Sequence, residues 1–230
     1  MVWPDHHTIL IGAGGVGLTK EGKFLDLSCV WAGHDDKRPI RGVEAAEFYL
    51  SLPDRYGSDC YFVMFSFNYD VTMLLKGLRQ GRSEAWHYNR VWTICKRQDM
   101  DTGKVRNNTI HIGDYSISYI KSKVLVIHKL DTSNPDEKRQ YPVLKRITLF
   151  DVFGFYRTSF VEVASSLVSL GLATKEEVET MRQNKARRND FKSSDWPLSR
   201  IKTYTEAELR KLSIAVTVLR KAAAEDGMPS

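Results

Sequence analysis

The chain has 230 residues, 42% of them hydrophobic and 27% charged, so it carries enough apolar surface for one large core or two small ones and is not expected to be disordered. Its longest apolar runs fall well short of the roughly 18 residues a membrane-spanning helix needs, and the opening Met1-Val-Trp-Pro-Asp-His-His lacks the basic start and apolar core of an export signal. Cys29, Cys60 and Cys95 lie more than thirty residues apart, which gives neither a disulfide framework nor a thiolate metal clip, so a reducing, cytoplasmic setting away from the membrane is expected. A net charge of +6 mildly favours polyanionic partners.

The β-branched run 8–11 predicts a strand, followed by the glycine-rich stretch 12–17, a turn at 20–23 and a second strand at 24–31. Apolar positions at helical spacing predict a helix over 43–50, closed by Pro53 and Gly57. The unbroken apolar run 60–65 reads as a strand buried on both faces, leading through Ser66-Phe-Asn-Tyr-Asp70 into a helix over 71–78. Between residues 86 and 145 the texture changes to short alternating runs at 91–94, 109–112, 115–120 and 124–128 separated by turn residues, the pattern of an antiparallel insertion. One more strand is expected at 147–150. Helices then follow at 161–170, after the capping-box start Thr174-Lys-Glu-Glu177, and over 205–224, with 225–230 frayed. With no internal repeat and no low-complexity linker, residues 1–230 read as a single α/β domain.

Gly12-Ala-Gly14-Gly-Val-Gly17 has the spacing G-x-G-x-x-G of a dinucleotide-binding turn. That turn needs a helix directly after its third glycine, and Leu18-Thr-Lys-Glu-Gly-Lys supplies only a few residues before the next strand. Gly12, Gly14 and Gly17 therefore read as the permissive end of a strand entering a hairpin, with a dinucleotide-binding protein kept as an alternative.

Asp70 follows a strand and opens a helix, at the edge of the sheet where open α/β folds place their chemistry. Taken alone it reads first as a helix N-cap, and it also fits a metal ligand. Tyr61-Phe-Val-Met-Phe-Ser-Phe-Asn-Tyr-Asp70 resembles the second exonuclease motif of family B DNA polymerases, especially those of phages, plasmids and organellar elements, including the protein-primed members. Thr148-Leu-Phe-Asp151-Val-Phe-Gly-Phe-Tyr-Arg-Thr-Ser159-Phe160-Val-Glu-Val resembles the strand and helix of the same domain that carry a Ser/Thr-Leu element, with Phe160 in place of Leu. Ile201-Lys-Thr-Tyr204-Thr-Glu-Ala-Glu208 is similar to the third motif, a Tyr followed four residues later by an acid, here Glu rather than Asp.

The resemblance implies a ribonuclease-H-like exonuclease fold, a mixed sheet flanked by helices, and 3′-5′ hydrolysis of single-stranded DNA ends by two Mg²⁺ (or Mn²⁺) ions roughly 4 Å apart. It assigns Asp70 and Glu208 as metal ligands and Tyr204, at i, i+4 from Glu208, as the phenol that orients the attacking water. Asn68 and Tyr69 would flank the terminal nucleotide, although the family's Asn position is occupied here by Ser66. Asp151 reads as a cap that fixes the Ser159 helix. Ser159 would bind a sugar-phosphate, and Phe160 would either stack on a base or sit in the core. Lys185, Arg187 and Arg188 form a basic run suited to backbone phosphates, or a solvated helix end.

The family's first motif, Asp-x-Glu on the opening strand, is not found before Thr8, and no paired aspartates of a polymerase follow Tyr204. Two carboxylates leave two divalent ions under-neutralised, so strong nuclease activity is not expected of the chain as it stands. It reads as a shortened or degenerate exonuclease-like part, partnered by a polymerase domain or subunit, or as a non-catalytic single-strand-binding module.

Overall fold

The computed structural model describes residues 8–18, 23–66, 68–78, 109–134, 141–190 and 196–226. In chain order the elements are β1 (Leu10–Leu18), β2 (Phe24–Gly33), α1 (Gly42–Tyr56), β3 (Phe62–Met64), α2 (Asn68–Leu78), β4 (Thr109–Ile112), β5 (Tyr115–Ile120), β6 (Val124–Leu130), β7 (Val143–Asp151), α3 (Phe153–Tyr156), α4 (Phe160–Ser169), α5 (Lys175–Asp190) and α6 (Leu198–Glu225). The chain is an α/β protein with a mixed five-stranded sheet, ordered β3-β7-β6-β5-β4, and a separate antiparallel pair β1-β2. Its residues group into two compact units, one holding Pro39–Phe155 with Thr8, the other Ile9–Arg38 with the residues from Tyr156 onward. Among the described residues no helix is long and apolar enough to cross a membrane. The strand expected at 91–94 lies outside the described residues.

In the first unit, β4 through β7 form an antiparallel meander and β3 joins β7 in parallel. Strand alternation sets the inner face of β7: Ile147, Leu149 and Asp151 are buried while Phe150 is exposed. Lys145, on the same side by that alternation, reaches Asp54 of α1 at 2.6 Å, and Lys129 of β6 reaches Glu47, which places α1 over this face. Tyr115 also donates to Glu47, at 2.7 Å. Ala46, Leu50 and Leu52 of α1 and Val71 and Leu75 of α2 are buried, as are Ile117, Leu125 and Ile127 of the sheet.

Three expectations change here. The strand expected at 60–65, buried on both faces, is the half-buried three-residue β3 at an edge of the described sheet, because Cys60 and Tyr61 are exposed and the left-handed backbone of Ser66 (φ 56°) ends the extended run. The helix expected over 43–50 runs on to Tyr56 with Pro53 inside its last turn, and Gly57 (φ 100°), one of the two residues expected to close it, does so by donating to Pro53 O at 2.9 Å. Helical bonding in α2 starts at Asn68, whose carbonyl accepts the Thr72 hydroxyl at 2.9 Å, so Asp70 stands inside the first turn rather than before it as an N-cap.

In the second unit, β1 runs through all the glycines. Gly12 lies opposite Trp31 and Gly14 opposite Cys29. A methyl group at Gly12 would overlap the Trp31 ring, and one at Gly14 would come within 2.6 Å of Cys29 Sγ and Ser28 O. These glycines therefore make room for the partner strand. Helix α6 packs on β1 and β2, and Ser213 Oγ accepts the Val16 N–H at 3.0 Å. The expected capping box is present, with Thr174 Oγ1 accepting from Glu177 N at 3.1 Å and Thr174 N donating to Glu177 Oε2 at 2.8 Å. Helix α6 begins seven residues before the expected start at Thr205, with Pro197 at its N-cap.

Helices α1 and α2 cross with backbone against backbone. A methyl group at Gly77 would sit 2.7 Å from Gly42 N, and one at Gly42 would overlap Leu78 N and the Gly77 carbonyl carbon. The obstacle is main chain, which cannot rotate aside, so Gly42→Ala is expected to lower unfolding free energy by about 1–3 kcal/mol, read as a lower urea midpoint at unchanged slope. In contrast, Gly15→Ala, whose methyl would meet only Ser213 Oγ at 3.7 Å, is expected to leave the midpoint near that of the parent chain.

Candidate functional site

The parallel pair ends at one level, with Met64 opposite Asp151. At a strand end the backbone donors lose their ladder partners and need others. Val152 N finds Met64 O at 3.0 Å, and Asp151 N finds Lys123 O at 2.8 Å. Ser66 N and Phe153 N both donate to Asp151 Oδ1, each at 2.9 Å. Asp151 is therefore not a cap for the Ser159 helix. It ties the end of β3 to the turn after β7, while the Phe65 and Phe153 rings pack edge-on with centroids 5.6 Å apart.

Asn68 opens α2 with both ends of its amide engaged: Oδ1 accepts the Tyr119 hydroxyl and Nδ2 donates to Ser122 Oγ at 3.3 Å. It braces the helix start against the turn between β5 and β6. Tyr69 follows in the same turn, with its side chain outside the described residues. Asp70 is exposed. The Tyr49 phenol, buried in α1, is pushed well above its ordinary range by burial and then by the negative charge of Asp70, so it stays protonated beside that carboxylate. Sequence reasoning missed Tyr49, whose helical position matches its apolar neighbours and carries no separate signal.

In the second unit, Ser159 is the N-cap of α4, its hydroxyl accepting Glu162 N at 3.3 Å. Phe160 is 7% exposed, so of its two expected roles the structure shows the core one. Lys185 is half-buried on α5, and Arg187 and Arg188 share that helix with their side chains outside the described residues. Tyr204 and Glu208 meet as their spacing implies, the phenol donating to Glu208 Oε1 at 2.5 Å. Tyr204 is buried, with its ring edge-on to Trp196, over which the Arg200 guanidinium lies 4.2 Å from the ring centroid. Asp70 belongs to the first unit, and Tyr204 and Glu208 to the second.

Gly12, Gly14 and Gly17 sit inside an antiparallel strand. A pyrophosphate cradle needs glycines in a turn at a helix N-terminus, which is not what these residues form. Burial and then the charge of Glu206 push the neighbouring Cys29 thiol up, so it is a poor nucleophile or metal ligand. Among the described residues, no three His, Cys, Asp or Glu side chains gather closely enough to cage a metal ion.

Tyr204 also lines a groove of about 570 Å³ walled by α5, α6 and Leu27. Its charges alternate: Arg200, Arg210 and Lys211 against Glu176, Glu177 and Glu206. Lys211, its side chain only 4% exposed, bonds through its ammonium to Glu177 Oε2 at 2.8 Å, the same oxygen that caps α5. Partial burial alone would push the Glu177 carboxyl up, but the Lys211 ammonium and the Thr174 N–H hold it below the usual value. This ion pair was not visible in the sequence, because Lys211 falls on the apolar face of an otherwise amphipathic helix.

Compared with known proteins, the chain matches no family model, no curated protein and no solved structure.

Glu177→Gln would strand a buried ammonium, an expected loss of up to about 3 kcal/mol at pH 7, at the low end for a broken buried pair because the carboxylate is half exposed. Since the folded-state pKa of Glu177 is depressed, its contribution is present above the unfolded value of about 4.3 and is lost as pH falls through the folded value. Urea midpoints of parent and variant are thus expected to converge below about pH 4. A gap that stays constant with pH would contradict the pairing.

Proposed function

We propose that this chain is a 3′-5′ exonuclease-type part of a family B DNA polymerase system, with a ribonuclease-H-like arrangement and single-stranded DNA ends as substrate. The observation that carries this reading is the position of Asp70: an exposed carboxylate in the first turn of α2, the helix that follows β3, a strand in parallel pairing. Open α/β sheets place ligands outside the carboxyl ends of their parallel strands. The three motif resemblances, in order along the chain, supply the reaction type.

The donor chemistry fits Mg²⁺ or Mn²⁺. Both are hard cations that bind through one or two carboxylates and otherwise keep water and substrate phosphate oxygens, so a closed protein cage is not required. Such ions supply an activated water and neutralise the departing 3′ oxygen. Asp70 contributes one carboxylate. In the second unit Glu208 would be a separate carboxylate for such an ion, and Tyr204, whose phenol donates to it, would act on that acid rather than directly on water. Lys185 and its neighbours on α5 bring positive charge for backbone phosphates. A polymerase domain or subunit is the partner this reading implies, and the free thiols of Cys29 and Cys60 suit a reducing compartment.

With only two carboxylates assigned, cleavage is expected to be slow. A 5′-labelled single strand incubated with the chain and Mn²⁺ is expected to shorten progressively from its 3′ end. Asp70→Ala should reduce that rate by at least about tenfold, and Glu208→Gln should lower it independently, because metal-borne charge stabilisation amounts to several kcal/mol. Shortening that is indifferent to metal, or equal in Asp70→Ala and parent, would refute the assignment.

A further inference from the structure

We propose that Asp151 is a positioning residue whose carboxylate fixes the junction between β3 and α2 and so sets where Asp70 stands. By the alternation of β7, residue 151 continues the buried face of Ile147 and Leu149, where an apolar side chain would be the ordinary choice. Instead a carboxylate only 5% exposed occupies it. Oδ1 takes the Ser66 and Phe153 N–H groups at 2.9 Å each, and among the described residues Oδ2 has no hydrogen-bond partner. A buried carboxylate with one oxygen unsatisfied is a poor device for stability alone, since a hydrophobic side chain of similar volume serves at least as well.

Its use is geometric. Ser66 is held with φ 56°, a left-handed conformation that non-glycine residues adopt only under local constraint, and its N–H is the one Asp151 grips from 85 residues away. Two residues later Asn68 is braced by Tyr119 and Ser122, and two further on stands Asp70. The clamp on Ser66 and the brace on Asn68 together fix the direction in which α2 leaves the sheet. The role of Asp151 toward Asp70 rests on the metal-ligand reading above, whereas its hold on Ser66 does not.

The test uses the full isotope-labelled chain, with residue-resolved amide exchange as one readout and Mn²⁺ line broadening of the α2 first-turn amides as the other. In Asp151→Leu, which keeps the branched shape, though bulkier, but has no acceptor, Ser66 and Phe153 amides should exchange about tenfold or more faster relative to those of β5 and β6. The Mn²⁺ concentration that broadens the α2 amides should rise about tenfold. Asp151→Asn keeps an acceptor oxygen without the charge, so it should bring both readouts back to within about threefold of the parent. Unchanged exchange at Ser66 and Phe153 overturns the clamp, and faster exchange with unchanged Mn²⁺ broadening overturns the positioning role. If Asp151→Leu does not fold, the smaller Asp151→Ala takes its place: acceleration of about tenfold confined to Ser66 and Phe153 supports the clamp, and its absence refutes it. A parent chain that shows no Mn²⁺ broadening overturns the metal reading of Asp70 and the positioning role with it, while the exchange comparison still decides the clamp.

Discussion

Three parallel residue pairs, Phe62 with Leu149, Val63 with Phe150 and Met64 with Asp151, hold the first unit's candidate site in place. The two strands come from distant parts of the chain, so no hairpin turn sets their register. What aligns them is the shared termination: both strands stop at the same level, and the backbone donors beyond it are taken up by Met64 O and by Asp151 Oδ1. Sliding β3 by one residue would move Ser66 away from that carboxylate and exchange the sheet faces of all three strand residues. The start of α2, and with it Asn68 and Asp70, is a consequence of this register.

Features with local causes were legible in the sequence. The alternation of β5, β6 and β7, the Thr174–Glu177 capping box and the Tyr204–Glu208 pair all depend on residues within one turn or one strand of each other, and period and spacing reveal them. The illegible features have partners far away in sequence. Nothing near Asp151 shows that Ser66 will need its carboxylate, and nothing near Lys211 points to Glu177. The unbroken apolar run at 60–65 could not announce that, among the described residues, only three of its residues would pair, because an apolar run reports hydrophobicity and not strand pairing.

The glycines illustrate the same division. In Gly12 and Gly14 the residue type is dictated by Trp31 and Cys29 on the facing strand, and in Gly42 and Gly77 by the closeness of two helices. A glycine motif read along one strand resembles a phosphate loop because both demand a missing Cβ. What differs is the object that occupies the space: a pyrophosphate in one case, an indole ring or another backbone in the other. Only tertiary pairing distinguishes them.

Asp70 and Asp151 share a local signature, an apolar strand that leads into an acid and a helix, and they differ in almost everything else. Asp151 is buried and its Oδ1 already satisfies two backbone donors; a carboxylate engaged in this way has less negative charge to offer a cation. Asp70 is solvent-facing, and its charge is felt by the Tyr49 phenol, which burial keeps protonated. On the proposed metal-ligand reading of Asp70, the pair divides two tasks that one side chain performs poorly at once: fixing a backbone, which needs a desolvated acceptor, and meeting a hydrated metal ion, which needs an accessible one. Burial, which local sequence does not encode, decides which aspartate takes which task.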